Sequence, residues 1–301
     1  MKRLSTVFAA ACMATTLATA VPMNVFAAEA TQEAKPEEEK ESSQTEDTSA
    51  TQKLSVTYKT KKYVKKVNIK MGNKTVKKTA VKSTFQYPVI ANTDPAAKKI
   101  QAYFQKEYKN WKKANQELSA KDWKVQYLST KKSERKYCGY YTDTVSYDLT
   151  YNTDEFMVSF RKEEYTFTGG AHGSNIVTGA TFSREAGTKA DYPISCLEGY
   201  YTEDDFKQMI YKGFAKIFDE NKKAYGTSGF FAQTKKELKK DVYKEYDLKI
   251  GKDKKPFAFK DCFYIRENKD GSGSMIIIAN QYDLAPYAAG VLEAEVLLQS
   301  V

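Results

Sequence analysis

The sequence predicts an α+β protein: two related antiparallel-sheet domains, each with helices packed on one face. Three observations carry this. Apolar residues alternate in several short runs, which is the period of half-buried strands. Between those runs lie amphipathic stretches opened by capping signals, which is the period of helices. The strand and helix signals then recur in the same order in the second half of the chain.

The elements follow in order. Val67-Asn68-Ile69 and Lys74-Thr75-Val76 alternate on either side of Gly72-Asn73, a hairpin signature. Phe85–Ile90 reads as a strand. Asp94-Pro95 then places a cap and an N1 proline before Ala97, Ile100, Phe104, Tyr108 and Trp111, whose spacing predicts a long helix. Val145, Tyr147, Leu149 and Tyr151 alternate, Thr153-Asp154 turns, and Phe156, Val158 and Phe160 alternate again. Ile176–Phe182 is strand-like. Thr202 and Asp205 form a capping box ahead of Phe206, Met209, Ile210, Phe214 and Ile217; Thr234 and Glu237 repeat the device before Leu238, Val242 and Tyr246. Phe263–Arg266 and Met275–Ala279 flank a turn at Asn268–Gly271, and Val291–Leu298 closes the chain as a strand.

The ends of this organisation are set by composition. Met1-Lys2-Arg3, an apolar run from Leu4 to Leu17, Pro22 and small residues near Ala27 have the grammar of a secretory signal peptide over residues 1–28. Residues 29–53 are acidic and lack aromatics, so they predict a disordered linker that cannot offset its ordering entropy by burial. Residues 54–301 hold all 22 Tyr and both Trp, an aromatic load that belongs to folded domains. The expected division is 54–180 and 181–301. No second run is apolar and long enough to span a bilayer, so the mature chain is expected to lack a transmembrane helix and to be extracellular or associated with the wall.

Function is less legible. The net charge is +10 at pH 7, yet residues 54–301 contain only four Arg (Arg135, Arg161, Arg184, Arg266). Specific nucleic-acid readout favours the arginine fork, so no nucleic-acid partner is expected. The lysines read as a scattered, solvated coat; an anionic wall polymer is the partner that charge alone would select. Cys138, Cys196 and Cys262 survive leader removal, and either one disulfide plus a thiol or three reduced thiols is compatible with an exported chain. Their spacing fits no zinc site, and neither a metal nor a cofactor is expected. The run Thr168-Gly169-Gly170-Ala171-His172-Gly173 carries the single histidine. It reads as a tight crossover whose imidazole satisfies buried backbone groups, with a catalytic base as the alternative. Tyr282–Gly290 reads either as a connector or as a loop presenting Tyr287 as an amphipathic anchor.

Together, Tyr165–Gly173 and Tyr282–Gly290 resemble the extracytoplasmic domain pair of RsiV-type lysozyme-sensing anti-sigma factors. Phe85–Ile90 with the helix after Asp94 is similar to the start of the first domain, which also resembles the module preceding the catalytic domain of PdaC-type peptidoglycan deacetylases. The Thr-Phe-Asp-Asp run of that catalytic domain is absent, as is a sigma-binding segment. The resemblance implies a non-enzymatic envelope binding protein, with lysozyme as a partner held by Pro286 and Tyr287 and by Gly169, Gly170, Ala171, His172 and Gly173 beside them. The alternatives are a module that binds wall polymer (peptidoglycan or teichoic acid) and a wall hydrolase or transferase using His172. If the leader is cleaved as predicted, N-terminal sequencing of secreted protein will begin between Ala28 and Thr31; a secreted chain still starting at Met1 or Lys2 would contradict it.

Overall fold

The computed structural model describes residues 52–117, 120–154, 156–196, 202–246 and 260–296. The predicted leader with Cys12, nearly all of the predicted linker, and Leu297 and Leu298 of the predicted last strand lie outside these residues. The fold class is the α+β arrangement that the sequence predicts.

The first sheet opens with a hairpin much longer than its alternating core suggests. Strand β1 (Val56–Met71) pairs antiparallel with β2 (Lys74–Ile90) across Gly72, whose φ of 61° is the left-handed value such a turn demands. Helix α1 (Pro95–Glu117) and helix α2 (Ala120–Ser129) follow, then β3 (Thr142–Asn152), β4 (Met157–Phe167), β5 (Ser174–Ser183) and the short β6 (Lys189–Ala190). The spatial order is β1-β2-β3-β4-β5-β6. All neighbours are antiparallel except β2 and β3, which run parallel at Thr84–Thr144 and Phe85–Val145. The two helices cross over between these strands and return the chain to its starting end, and a parallel pair requires such a crossover. The expected division at 180/181 falls within β5, and the sheet continues to β6.

Helix α1 buries Ala97, Ile100, Phe104 and Trp111 against Phe85, Tyr147, Phe160 and Phe182. Phe104 meets Phe160 and Tyr147 edge-on at 4.9 and 5.1 Å between centroids, the geometry that aromatic quadrupoles favour. Helix α2 has no clear period in the sequence. Only Ala120, Trp123 and Tyr127 of it are buried, while Val125 and Leu128 face outward and blur the period. It covers Ile69, Ala80 and Val81 of the hairpin.

The second sheet is built as expected. Helix α3 (Glu203–Tyr225) begins at the Thr202–Asp205 capping box and ends at Gly226; helix α4 (Lys235–Glu245) begins at the Thr234–Glu237 box. Strands β7 (Phe263–Glu267), β8 (Gly273–Ala279) and β9 (Leu292–Val296) form an antiparallel sheet in that order. Phe206, Ile210, Phe214 and Phe218 of α3 pack on Met275, Ile277 and Ala279.

The other face of this small sheet lies on the first one. Val177 packs among Tyr264, Ile276 and Ile278. Gly179 donates its N–H to Asp261 O at 2.7 Å, and a Cβ at Gly179 would sit 1.5 Å from Phe263 O, so only glycine allows this approach. The Ile265 N–H donates to Ser159 Oγ at 2.9 Å, and Ser159 in turn contacts Thr181 Oγ1 at 2.7 Å. Backbone groups that pass between the sheets are thereby satisfied.

One ion pair ties the start of α1 to the end of β5. Arg184, 1 % exposed, donates two bonds to Asp94 at 2.9 Å, and Asp94 Oδ1 also caps the Ala97 N–H. The bonds from Arg184 hold the Asp94 carboxyl down at about 2. Because the folded value lies below the unfolded one, this contribution is complete above pH ~4 and fades as pH falls towards ~2. Asp94→Ala leaves a buried guanidinium bonded to the Gln52 carbonyl but without its counter-charge and should cost about 3–5 kcal/mol, read by denaturant unfolding at pH 7. Asp94→Asn, which keeps the cap, should fall between that variant and the wild type and lose the acid-dependent component.

Candidate functional site

Two turns from different sheets meet at one end of the seam. The first joins β4 to β5 and contains Gly169 and Gly170 at φ of 96° and 99°, values that side chains rarely adopt. A Cβ at Gly173 would lie 2.6 Å from the end of the Tyr165 ring, so a side chain there would make that exposed ring turn away. The second turn follows β8. Asn280 reads the edge of β5 as a neighbouring strand would: Val177 N donates to its Oδ1 at 2.7 Å, and its Nδ2 donates to Val177 O at 3.1 Å. Gln281 Oε1 accepts from Asn175 N at 3.2 Å. These three bonds hold the second turn against the first.

The loop then folds on itself. Asn280 N donates to Asp283 Oδ2 at 2.7 Å, and Tyr282, at a φ of 75°, donates its N–H to Ala285 O at 3.0 Å. Burial raises the Asp283 carboxyl, opposed by the bond from Asn280. Pro286 starts a 3-10 turn (Tyr287–Ala289) that presents Tyr287 to the first turn.

His172 and Tyr287 stack there with ring centroids 3.9 Å apart and planes 28° from parallel. Tyr282 stands 6.1 Å from Tyr287 and is 59 % exposed. The three rings border an open cleft of about 330 Å³, completed by Asn175, Asn280, Gln281 and Asp283. His172 Nδ1 lies 3.0 Å from Gly173 O, and because a carbonyl only accepts, Nδ1 is the donor in this contact. Behind the cleft, Asn175 Nδ2 donates to Glu163 Oε1 at 3.0 Å, and Arg161 bridges Glu163 and Glu293 at 2.8 and 2.7 Å. Bonding from Arg161 lowers the Glu163 carboxyl. Asn175 Oδ1 is buried without a hydrogen-bond partner among the described residues.

Of the residues expected at the site, His172, Gly173 and Tyr287 come together. Pro286 and Ala171 are exposed next to them in the chain. Gly169 and Gly170 instead border a separate hollow of about 240 Å³ with Gln126, Thr130, Tyr137 and Cys138. His172 departs from the expected role: it is exposed, and its ring is held by stacking and one contact to its neighbour, not by buried backbone groups. Asn175, Asn280 and Asp283 were missed because lone amides and acids carry no sequence pattern. Cys138, Cys196 and Cys262 are free thiols, and burial pushes Cys196 up to about 11 and Cys262 to about 12. Among the described residues, no group of three His, Cys, Asp or Glu could hold a metal ion, and no helix is long and apolar enough to cross a membrane.

The first of the two turns lies within a recognisable domain. Residues 74–175 match the family model described as Deacetylase PdaC. The match takes in β2 to β4, both helices and the Gly169–Gly173 turn, and it stops before the second turn. The resemblance of the first domain is thereby borne out. No curated protein matches the chain. Among solved structures, a DUF3298 family protein from Pseudomonas aeruginosa is 13 % identical, with 81 % of this chain and 90 % of that chain covered and a TM-score of 0.47. A DUF3298 member from Bacteroides fragilis is 14 % identical, with the same coverage and TM-score.

Proposed function

We propose that this chain is a binding module of the cell envelope whose cleft receives a sugar unit of wall glycan. The observation that carries the reading is the His172–Tyr287 stack bordering a hollow lined with amides. A flat aromatic face takes the apolar side of a pyranose ring, while Asp283 and Tyr282, both exposed, offer acceptors and a donor to its hydroxyls. A hollow of about 330 Å³ suits a small ligand group. Tyr287 is half-buried and lines this hollow; it does not project as a free knob. That geometry favours receiving a ligand over entering a partner's cleft. The predicted leader would bring the chain to the compartment where wall glycan is found.

A second reading, a lysozyme partner, draws on the RsiV-type resemblance and on one further observation. Residues 142–301, which supply the cleft, hold 21 Lys and Arg against 25 Asp and Glu. A basic protein would therefore meet little repulsion at this end of the molecule.

Binding to soluble glycan fragments, measured calorimetrically, tests the proposal. Tyr287→Ala and Tyr282→Ala should each weaken binding ten-fold or more, about 1.4 kcal/mol per decade, and 0.5 M salt should change it little. Unaltered affinity in both variants would overturn the glycan reading. Capture of a lysozyme that depends on Tyr287, without glycan binding, would establish the second. Turnover of the glycan that His172→Ala abolishes without changing the melting temperature would make the chain an enzyme.

A further inference from the structure

The lysines are segregated along the chain, contrary to the scattered coat read from the sequence. Residues 54–141 hold 22 Lys and Arg against five Asp and Glu. The densest part is the β1–β2 hairpin, with ten lysines and no acidic residue between Val56 and Ile90. Among the described residues, none of the ten takes part in a salt bridge. Lys61 and Lys82 lie over the Tyr108 and Tyr140 rings at 5.9 and 5.3 Å.

Register orders these charges. Tyr63, Val67 and Ile69 point toward α2, so the even-numbered residues of β1 point away from it. Lys62, Lys66 and Lys70 are three of these. On β2, Lys82 pairs with Val64 and Lys77 with Asn68, which puts both on the same outer face. Along the ribbon the sequence is therefore Lys62, Lys82, Lys66, Lys77, Lys70, alternating between strands at two-residue steps. At about 3.3–3.4 Å per residue, each step is roughly 7 Å and the row about 27 Å long. All five side chains are exposed, and Val64 between them is 52 % exposed. The small sheet packs over the β5 end of the first sheet, leaving this end open.

Protection of a free sheet edge explains lysines on β1, the terminal strand. It does not explain Lys82 on β2, whose N–H donates to Tyr141 O at 2.9 Å on the side away from β1; Lys77 lies further out, where β2 pairs with β1 alone. Nor does it explain why no acidic residue interrupts a row of like charges that repel one another. From this row we infer that the outer face of the β1–β2 hairpin binds a linear phosphodiester polymer, each lysine in the row meeting a phosphate. Lysine, a compact point charge, suits a monoanionic diester, whereas a planar bidentate group would call for arginine. The flat, narrow ribbon suits an extended single chain. Few apolar side chains accompany the charges, so a bilayer is the weaker fit. The inference is independent of the glycan cleft, which belongs to the opposite end of the sheet.

The test is salt-dependent binding of poly(glycerol phosphate), beside single-stranded DNA, duplex DNA and anionic phospholipid vesicles. Five neutralised phosphates predict a slope of log affinity against log salt near −3.5, at about −0.7 per contact on a single chain. Affinity should then fall roughly 100-fold between 50 and 200 mM salt. The pair Lys66→Gln and Lys77→Gln should bring the slope to about −2, whereas Lys112→Gln with Lys113→Gln on α1, an equal loss of charge, should leave it unchanged. Single-stranded DNA binding with the same slope would support the shared chemistry. Equal effects of the two double variants, tighter binding to duplex DNA, or binding to vesicles alone would overturn the proposal.

Discussion

Everything specific about this molecule depends on how closely β7 approaches β5. The carbonyl of Phe263 occupies the space where any side chain at residue 179 would begin, and the Gly179 N–H closes the gap by donating to Asp261. Hydrophobic contact through Val177, Tyr264, Ile276 and Ile278 supplies the area, but area is not directional. The hydrogen bonds at Gly179, Ser159 and Asn280 fix the register of one sheet on the other. With that register set, the turn after β4 and the turn after β8 arrive side by side. A displacement by one residue would separate His172 from Tyr287 and abolish the cleft.

The two halves of the first sheet serve different ends. Its β5 side is covered, hydrogen-bonded and bordered by carboxylates such as Glu163, Glu293 and Asp283. Its β1 side is open and carries only positive charge. The interior between them is rigid: α1 seals an aromatic cluster, and the Arg184–Asp94 pair locks the helix start to the end of β5. Asp143 shows that burial there is severe. Its carboxyl is raised to about 6 chiefly by desolvation, even with Asn115 donating to it at 2.8 Å. Such a body separates two contact surfaces of unlike chemistry, one aromatic and little affected by salt, the other ionic and screened by it.

Much of the fold could be read in the sequence, because periodicity and capping are local. The Gly72-Asn73 turn, the Asp94-Pro95 start and both Thr capping boxes stand where their chemistry puts them. Helix α2 escaped notice, since Val125 and Leu128 face solvent, and so did the parallel β2–β3 contact, which only the helical crossover creates. At the site, glycine density and the single histidine marked the first turn, and Tyr287 marked the second. Their partners Asn175 and Asn280 were invisible, as their roles come from contacts over more than 100 positions of sequence separation. The lysine row was hidden for a similar reason: its order emerges only when β1 and β2 are laid in register.

The central claim is that the seam builds an aromatic cleft from His172 and Tyr287. Nuclear Overhauser contacts between the imidazole and phenol ring protons in labelled protein test it directly. The account predicts strong contacts in the wild type that weaken in Asn280→Ala, where Val177 loses its amide partner, while the amide pattern of each sheet persists. An imidazole that shows no contact to Tyr287 in the folded wild-type protein would contradict it.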